Sequence, residues 1–138
     1  MLSDDLIRTI LTESRIIAVV GISANVARPS YGVARFLQAR GHRIVPVNPG
    51  LAGKTLFGET VYARVGEIPF AVDMIDVFRS PDAVPALVEE VLAMSPLPRT
   101  LWLQLGVIAP EAAARAEAAG MRVVMDRCPA IEYGRLGL

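Results

Sequence analysis

Cysteine, histidine, lysine and tryptophan occur once each in this 138-residue chain, as Cys128, His42, Lys54 and Trp102. A single cysteine excludes an intramolecular disulfide framework, which fits a reducing compartment. One cysteine and one histidine build no Cys/His zinc site without carboxylates or a second chain, so no metal centre is expected. Net charge is also absent, because 14 basic residues balance 14 acidic ones. Without a basic excess the chain lacks the electrostatic basis for binding nucleic acid or a membrane surface. No apolar run approaches the ~18 residues of a membrane span. The opening segment MLSDDLIRTILTESR carries acids where a secretion signal needs lysine or arginine. A cytoplasmic protein is expected. Asparagine and glutamine are scarce, at two each, while 13 of the 14 basic residues are arginine. The scarce amides give a thermophile-like composition, although arginine-for-lysine exchange is no general mark of heat adaptation. Apolar residues are plentiful: at 53 % they exclude a disordered tail and suffice for one sizeable core. Residues 1–138 are expected to form one domain.

The apolar pattern alternates between two textures. Ile16 to Val20 is a continuous apolar run of strand length, ending at Gly21. Arg43–Val47, Val72–Phe78, Thr100–Leu105 and Arg122–Met125 have the same character. Strands buried on both faces look like this, which favours a parallel sheet. Helical spacing intervenes. Ser3 caps a helix to Ser14, Ser30 caps one closed by Gly41, a third follows Ser80-Pro81-Asp82, and Pro110 opens an alanine-rich one that Gly120 ends. Pro85 removes a donor near the third helix's first turn, so that helix is expected to begin after it. Residues 51–71 carry no clear pattern beyond a short strand or helix start at Val61–Val65. The tail beyond Met125 runs through Cys128 and Pro129 with no element assigned to it. Five strands alternating with helices predict a doubly wound α/β fold: a five-stranded, mainly parallel sheet with helices on both faces.

Such folds bind ligands outside the carboxyl ends of their strands. The residues that follow strands here include Gly21-Ile22-Ser23, Asn48-Pro49, Phe78-Arg79-Ser80, Gln104-Leu105-Gly106 and Asp126-Arg127-Cys128. This mixture of glycines, amides and arginine suits an anionic nucleotide. Gly21 and Ser23 before a helix resemble a phosphate-binding turn, but the full G-x-G-x-x-G fingerprint is missing. The second strand ends in Val47-Asn48-Pro49 without the acid that grips an NAD ribose, which disfavours an NAD dehydrogenase. Lys54 lies just beyond, placed either for an extra phosphate, as in NADP or coenzyme A, or as a solvated loop residue. Arg79 is placed for a phosphate or adenine contact, with an ion pair to Asp76 or Asp82 as the alternative, and Phe78 for packing on a ring. Arg28 has a similar but weaker placement. His42 precedes a strand and Cys128 follows one, so they fall at opposite ends of the sheet. A five-residue strand spans about 16 Å, so no catalytic dyad is expected. His42 is read as a surface residue and Cys128 as a packed or cleft-lining thiol. Asp73, Asp76 and Asp126 are read as caps or arginine partners.

The blocks Val19-Val20-Gly21-Ile22-Ser23, Val47-Asn48-Pro49, Asp76-Val77-Phe78-Arg79, Trp102-Leu103-Gln104-Leu105-Gly106 and Met125-Asp126-Arg127-Cys128-Pro129 resemble the small stand-alone CoA-binding protein family. That family is similar to the N-terminal domain of the succinyl-CoA synthetase alpha subunit. The resemblance runs from about Ser14 to Tyr133 and implies a Rossmann-like domain with coenzyme A, or an acyl-CoA, across the carboxyl rim. It implies that Gly21 and Ser23 hold the pyrophosphate region; Ile22 and Arg28 of the same loop are counted with them as cofactor-binding. Asn48 would lie near the adenosine, with Lys54 as a phosphate partner. Phe78, Arg79 and Ser80 would meet the nucleotide, and Gln104 and Gly106 the pantetheine arm. The synthetase needs a further domain carrying a phosphorylated histidine, which these residues do not match. The expected function is therefore CoA binding without catalysis by this chain alone, as a carrier, a sensor or a subunit of a complex with an unidentified partner. The alternatives are an NADP-linked or CoA-transferring enzyme subunit whose catalytic group comes from a partner, and an adenine-nucleotide sensor.

Overall fold

The structure is a computed structural model and describes residues 2–138. Ser3 Oγ accepts the Leu6 N–H at 3.1 Å and starts helix α1, Asp4–Glu13, whose first-turn acids complement the helix dipole. Strand β1, Ile16–Val20, follows, then α2, Pro29–Ala39, and β2, Arg43–Val47. A short antiparallel hairpin, β3 at Thr55–Leu56 and β4 at Glu59–Thr60, lies beyond β2. The chain then forms β5, Met74–Val77; α3, Val84–Leu92; β6, Thr100–Leu103; α4, Pro110–Ala118; β7, Arg122–Val124; and α5, Pro129–Arg135.

The main sheet has the order β2-β1-β5-β6-β7, and all four of its pairings are parallel. Alternate side chains of these strands enter two apolar layers. Ile17, Val19, Ile44, Met74, Trp102 and Val124 pack against α1, α2 and α5. Ala18, Val20, Val45, Ile75, Val77 and Leu101 pack against α3 and α4. Both faces are thus covered, which is why the strand sequences run apolar without alternation. The observed fold is the expected α/β type with five parallel strands. No helix among the described residues is long and apolar enough to cross a membrane.

Two open segments are filled and two local expectations are corrected. The segment 51–71 contains the β3–β4 hairpin, with Phe57 and Gly58 both at positive φ in its turn. The tail forms α5, for which Pro129 occupies the first turn. Helix α3 begins at Val84, so Pro85 sits in the first turn, where its missing N–H has no intrahelical partner to lose. Ser30 lies inside α2 and caps nothing. Arg28 is the capping residue, without a side-chain bond to the helix.

His42 is also not at the surface, being 7 % exposed. Its Nδ1 meets the Ser14 carbonyl, and its Nε2 lies 2.6 Å from the Tyr133 hydroxyl. A neutral ring donating from Nδ1 to Ser14 and accepting from Tyr133 at Nε2 satisfies both contacts. Burial holds the His42 pKa below its ordinary value, opposed by the Ser14 bond. The histidine joins β2 and α1 to α5, at the amino end of the sheet.

Candidate functional site

The chain moves one way from β1 to β2 and the other way through β5, β6 and β7. The direction changes between β1 and β5, and a crevice opens there beyond their carboxyl ends. Gly21 and Phe78 form its floor. The strand ladder continues into them: Gly21 N–H donates to Val47 and Phe78 N–H to Val20. Gly21 has φ +86°, and a Cβ there would lie 2.1 Å from the Phe78 carbonyl oxygen. The glycine is thus demanded first by the close approach of two backbone segments.

A cleft of about 790 Å³ rises from this floor. Its first wall is the loop after β1 together with the start of α2. The Ser30 Oγ accepts the Ser23 N–H at 3.0 Å, and the Ser23 Oγ accepts the Asn25 N–H at 3.0 Å. These bonds shape the loop and leave the Ser23 hydroxyl proton free to donate. Arg28 stands at the mouth, beside the uncapped amino end of α2. The β2 side is braced by Asn48, whose Nδ2 donates to the Ile22 carbonyl and whose Oδ1 accepts the Gly50 N–H, both at 2.8 Å. Asn48 therefore ties the first loop to the second.

Arg79 follows Phe78 and lines both this cleft and a smaller recess of about 420 Å³ on the other face of the sheet. Among the described residues neither Arg28 nor Arg79 forms an ion pair, whereas seven other arginines do. No carboxylate lines the cleft. The ion pairs from Arg79 to Asp76 or Asp82, read as alternatives in the sequence, are absent.

The far wall comes from β6 and β7. Gln104 is 7 % exposed, and its Oε1 has no hydrogen-bond partner. Cys128 lines the same wall. The Trp102 Nε1–H donates to the Arg127 carbonyl at 2.8 Å and fixes the loop that carries the cysteine. Two positions before Phe78, Asp76 is completely buried between Val19 and Trp102, and neither of its oxygens has a partner. Burial pushes its pKa up to about 8. The expectation that Asp76 caps or pairs with arginine is thus corrected. Asp73 and Asp126 do act as caps: Asp73 accepts the Arg15 and Ile16 N–H groups, and Asp126 accepts the Gly106 N–H.

The structure brings Gly21, Ile22, Ser23 and Arg28 to one side of the cleft, with Asn48, Phe78, Arg79 and Gln104 around the rest. Lys54, Ser80 and Gly106 do not line it. Lys54 is exposed beyond the short helical turn at Pro49–Leu51, and Ser80 is exposed ahead of the turn that leads into α3. The sequence reading placed Leu105 on the rim but missed Pro29, Ser30, Val33 and Val107 on the cleft wall. Val107 lies beyond the turn at Gly106, and Val33 belongs to the inward face of α2, so position after a strand did not reveal them.

A doubly wound parallel sheet with a cleft at its switch point places the molecule in the Rossmann-like α/β class. Residues 15–134 match the CoA binding domain family, and the chain belongs to that family. It is 34 % identical over 122 residues to the uncharacterised protein YneT of Bacillus subtilis (strain 168), covering 88 % of this chain and 87 % of that one. The structure of cell-free ID.343 from Thermus thermophilus superposes with a TM-score of 0.92 at 39 % identity, over 98 % of this chain and 99 % of that one. The fold also recurs in the dinucleotide-forming acetyl-coenzyme A synthetase 1 of Ca. Korarchaeum cryptofilum. There the TM-score is 0.71 at 22 % identity, over 90 % of this chain and 28 % of that chain.

Proposed function

We propose that this chain binds coenzyme A or an acyl-CoA across the cleft. The phosphates would lie at the β1–β5 switch point and the thiol arm would run over β6 toward β7. The observation that carries this reading is the pair Arg28 and Arg79: both line a cleft without carboxylates and neither has an anionic partner. Two free guanidiniums beside the amino end of an 11-residue helix suit a pyrophosphate. Gln104, on the β6 wall, would border the pantetheine arm. Ser23 would donate to phosphate, and Asn48 would act by holding the two loops in register. Phe78 and Ser80 would flank the nucleotide, Gly106 would border the arm, and Lys54 would meet the 3′-phosphate from its loop. The protein would act as a carrier, a sensor or a subunit of a complex. Support comes from His42, which is engaged by Ser14 and Tyr133 at the end of the sheet opposite Cys128.

Thermal unfolding with CoA, dephospho-CoA, ADP and NADP tests the proposal. A ligand at 100 times its dissociation constant adds about 2.7 kcal/mol of stability. CoA is expected to give that shift. A shift with NADP and none with CoA would overturn the reading. Equal shifts with dephospho-CoA and CoA would remove Lys54 from the site.

A further inference from the structure

The cleft is divided chemically along its length. Its two charged lining residues, Arg28 and Arg79, follow β1 and β5. Beyond β6 and β7 the wall is Leu105, Val107 and Cys128, with no charged side chain. The rim continues that division. Among the described residues four large apolar side chains are exposed: Val26 at 69 %, Leu105 at 55 %, Ile108 at 50 % and Ile131 at 56 %. All four stand at the carboxyl end of the sheet, on the segments that follow β1, β6 and β7. Exposed apolar residues scattered singly are ordinary, but four gathered on the rim of one cleft mark a binding surface. Local packing does not demand them. Val26 tips a turn in which Asn25 Oδ1 accepts the Ala27 N–H at 2.9 Å, a place that turns usually give to polar residues. Ile131 lies on the outer side of α5, while its neighbour Glu132 is buried and held by Arg127 and Arg135. That helix hides an acid and displays an isoleucine, the reverse of the usual order.

We infer that the cleft selects acyl-CoAs whose acyl group is an uncharged aliphatic chain longer than acetyl, and that this chain lies against Leu105 and Ile131. This rests on the proposed CoA binding. Three strand spacings separate β1 from β7, which is about 14 Å. An arm anchored by phosphates near Gly21 spends its length crossing β5 and β6 and brings its sulfur to the apolar end. Whatever the sulfur carries then meets the exposed side chains of the rim. A free thiol leaves them in water. An aliphatic chain removes apolar surface from water on both partners, which favours its binding. A chain that ends in a carboxylate loses hydration there and finds no free cation, because Arg28 and Arg79 face the phosphates and Arg127 is already paired with Glu132.

The test is calorimetric titration with CoA, acetyl-CoA, butyryl-CoA, hexanoyl-CoA and succinyl-CoA. Affinity is expected to rise about two- to fourfold per methylene from acetyl to hexanoyl, the scale of partial to full burial of each group. Succinyl-CoA is expected to bind more weakly than butyryl-CoA. Ile131→Ser and Leu105→Ser change exposed positions and are expected to lower the ratio of hexanoyl-CoA to CoA affinity at least about threefold each. Equal affinity for CoA and every acyl-CoA would overturn the inference while the proposed CoA binding stands, and the apolar rim would then belong to another occupant, such as a protein face. A chain-length preference that survives both substitutions would place the chain elsewhere and also overturn it. Succinyl-CoA binding as tightly as butyryl-CoA would overturn the selection against charge. If none of the five ligands binds, the CoA proposal falls and the inference falls with it.

Discussion

Asp76→Asn should make this protein more stable at neutral pH and should do so more strongly as pH rises. Asp76 is fully buried in the middle strand of the sheet, with no partner for either oxygen. Its pKa rises from 3.8 to about 8 because the charged form has lost water and gained nothing. Below pH 3.8 both folded and unfolded chains hold the proton, and the group does not favour either. Above it the unfolded chain releases the proton and the folded chain retains it. Stability then falls by about 1.4 kcal/mol per pH unit until pH approaches 8. By pH 7 the accumulated loss is about 4 kcal/mol, a large share of the ~5–15 kcal/mol typical of a folded domain. Asparagine has no proton to release but leaves a carboxamide unpaired, at about 1–3 kcal/mol. The variant should therefore gain about 1–3 kcal/mol at pH 7 and lose about 1–3 kcal/mol near pH 4, where only the unpaired carboxamide counts. Urea unfolding of both proteins from pH 4.5 to 8 measures the difference. Parallel stability curves across that range would show that Asp76 is ionised and partnered in the folded protein, and the reasoning would be wrong.

Gly21→Ala should cost more than about 3 kcal/mol in urea unfolding, because the new methyl would meet the Phe78 carbonyl at a left-handed backbone position. A loss below ~1 kcal/mol would show that the two segments can separate easily. Arg79→Ala should weaken CoA binding by about 1.5–3 kcal/mol in calorimetry. It should leave the stability of the free protein within about 0.5 kcal/mol, because no ion pair is lost. His42 should make the fold sensitive to acid. Its folded pKa lies below 6.5, so the stability of the neutral ring is present above pH 6.5 and is lost as pH falls toward the folded value. His42→Gln should lose less stability than the parent between pH 6.5 and 5, and equal losses would contradict that placement.

The sheet could be read from the sequence because each central strand is a continuous apolar run, a pattern that only cover on both faces explains. Sheet position then brought eight of the proposed binding residues to one cleft, although the sequence has no full glycine fingerprint. Where the pattern depended on distant partners, it misled. His42 between Gly41 and Arg43 looks solvated until Tyr133 of α5 closes over it. Helix α5 was hidden because it spans seven residues and contains Gly134. The hairpin was hidden because its strands are two residues long and its turn is Phe57-Gly58, in place of the asparagine–glycine pair that usually marks such a turn. Asp76 lay in an apolar run, where an acid is normally explained by a partner, and no partner is there. Lys54 follows the short turn at Pro49–Leu51 and stands outside the cleft wall, so its proposed phosphate contact is made from the loop.

The hairpin and its flanking residues also shape how these molecules meet one another. The outer edge of β2 is occupied: Tyr62 donates to the Pro46 carbonyl and accepts from Asn48. The Pro46 backbone is turned to that edge and has no N–H to offer. At the opposite edge β7 is only three residues long and begins with Arg122, which is held by Glu13 and Thr100. A second chain that tried to extend the sheet would find one side closed and the other too short to template a strand. This protects a strongly apolar parallel sheet from growing edge to edge into aggregates.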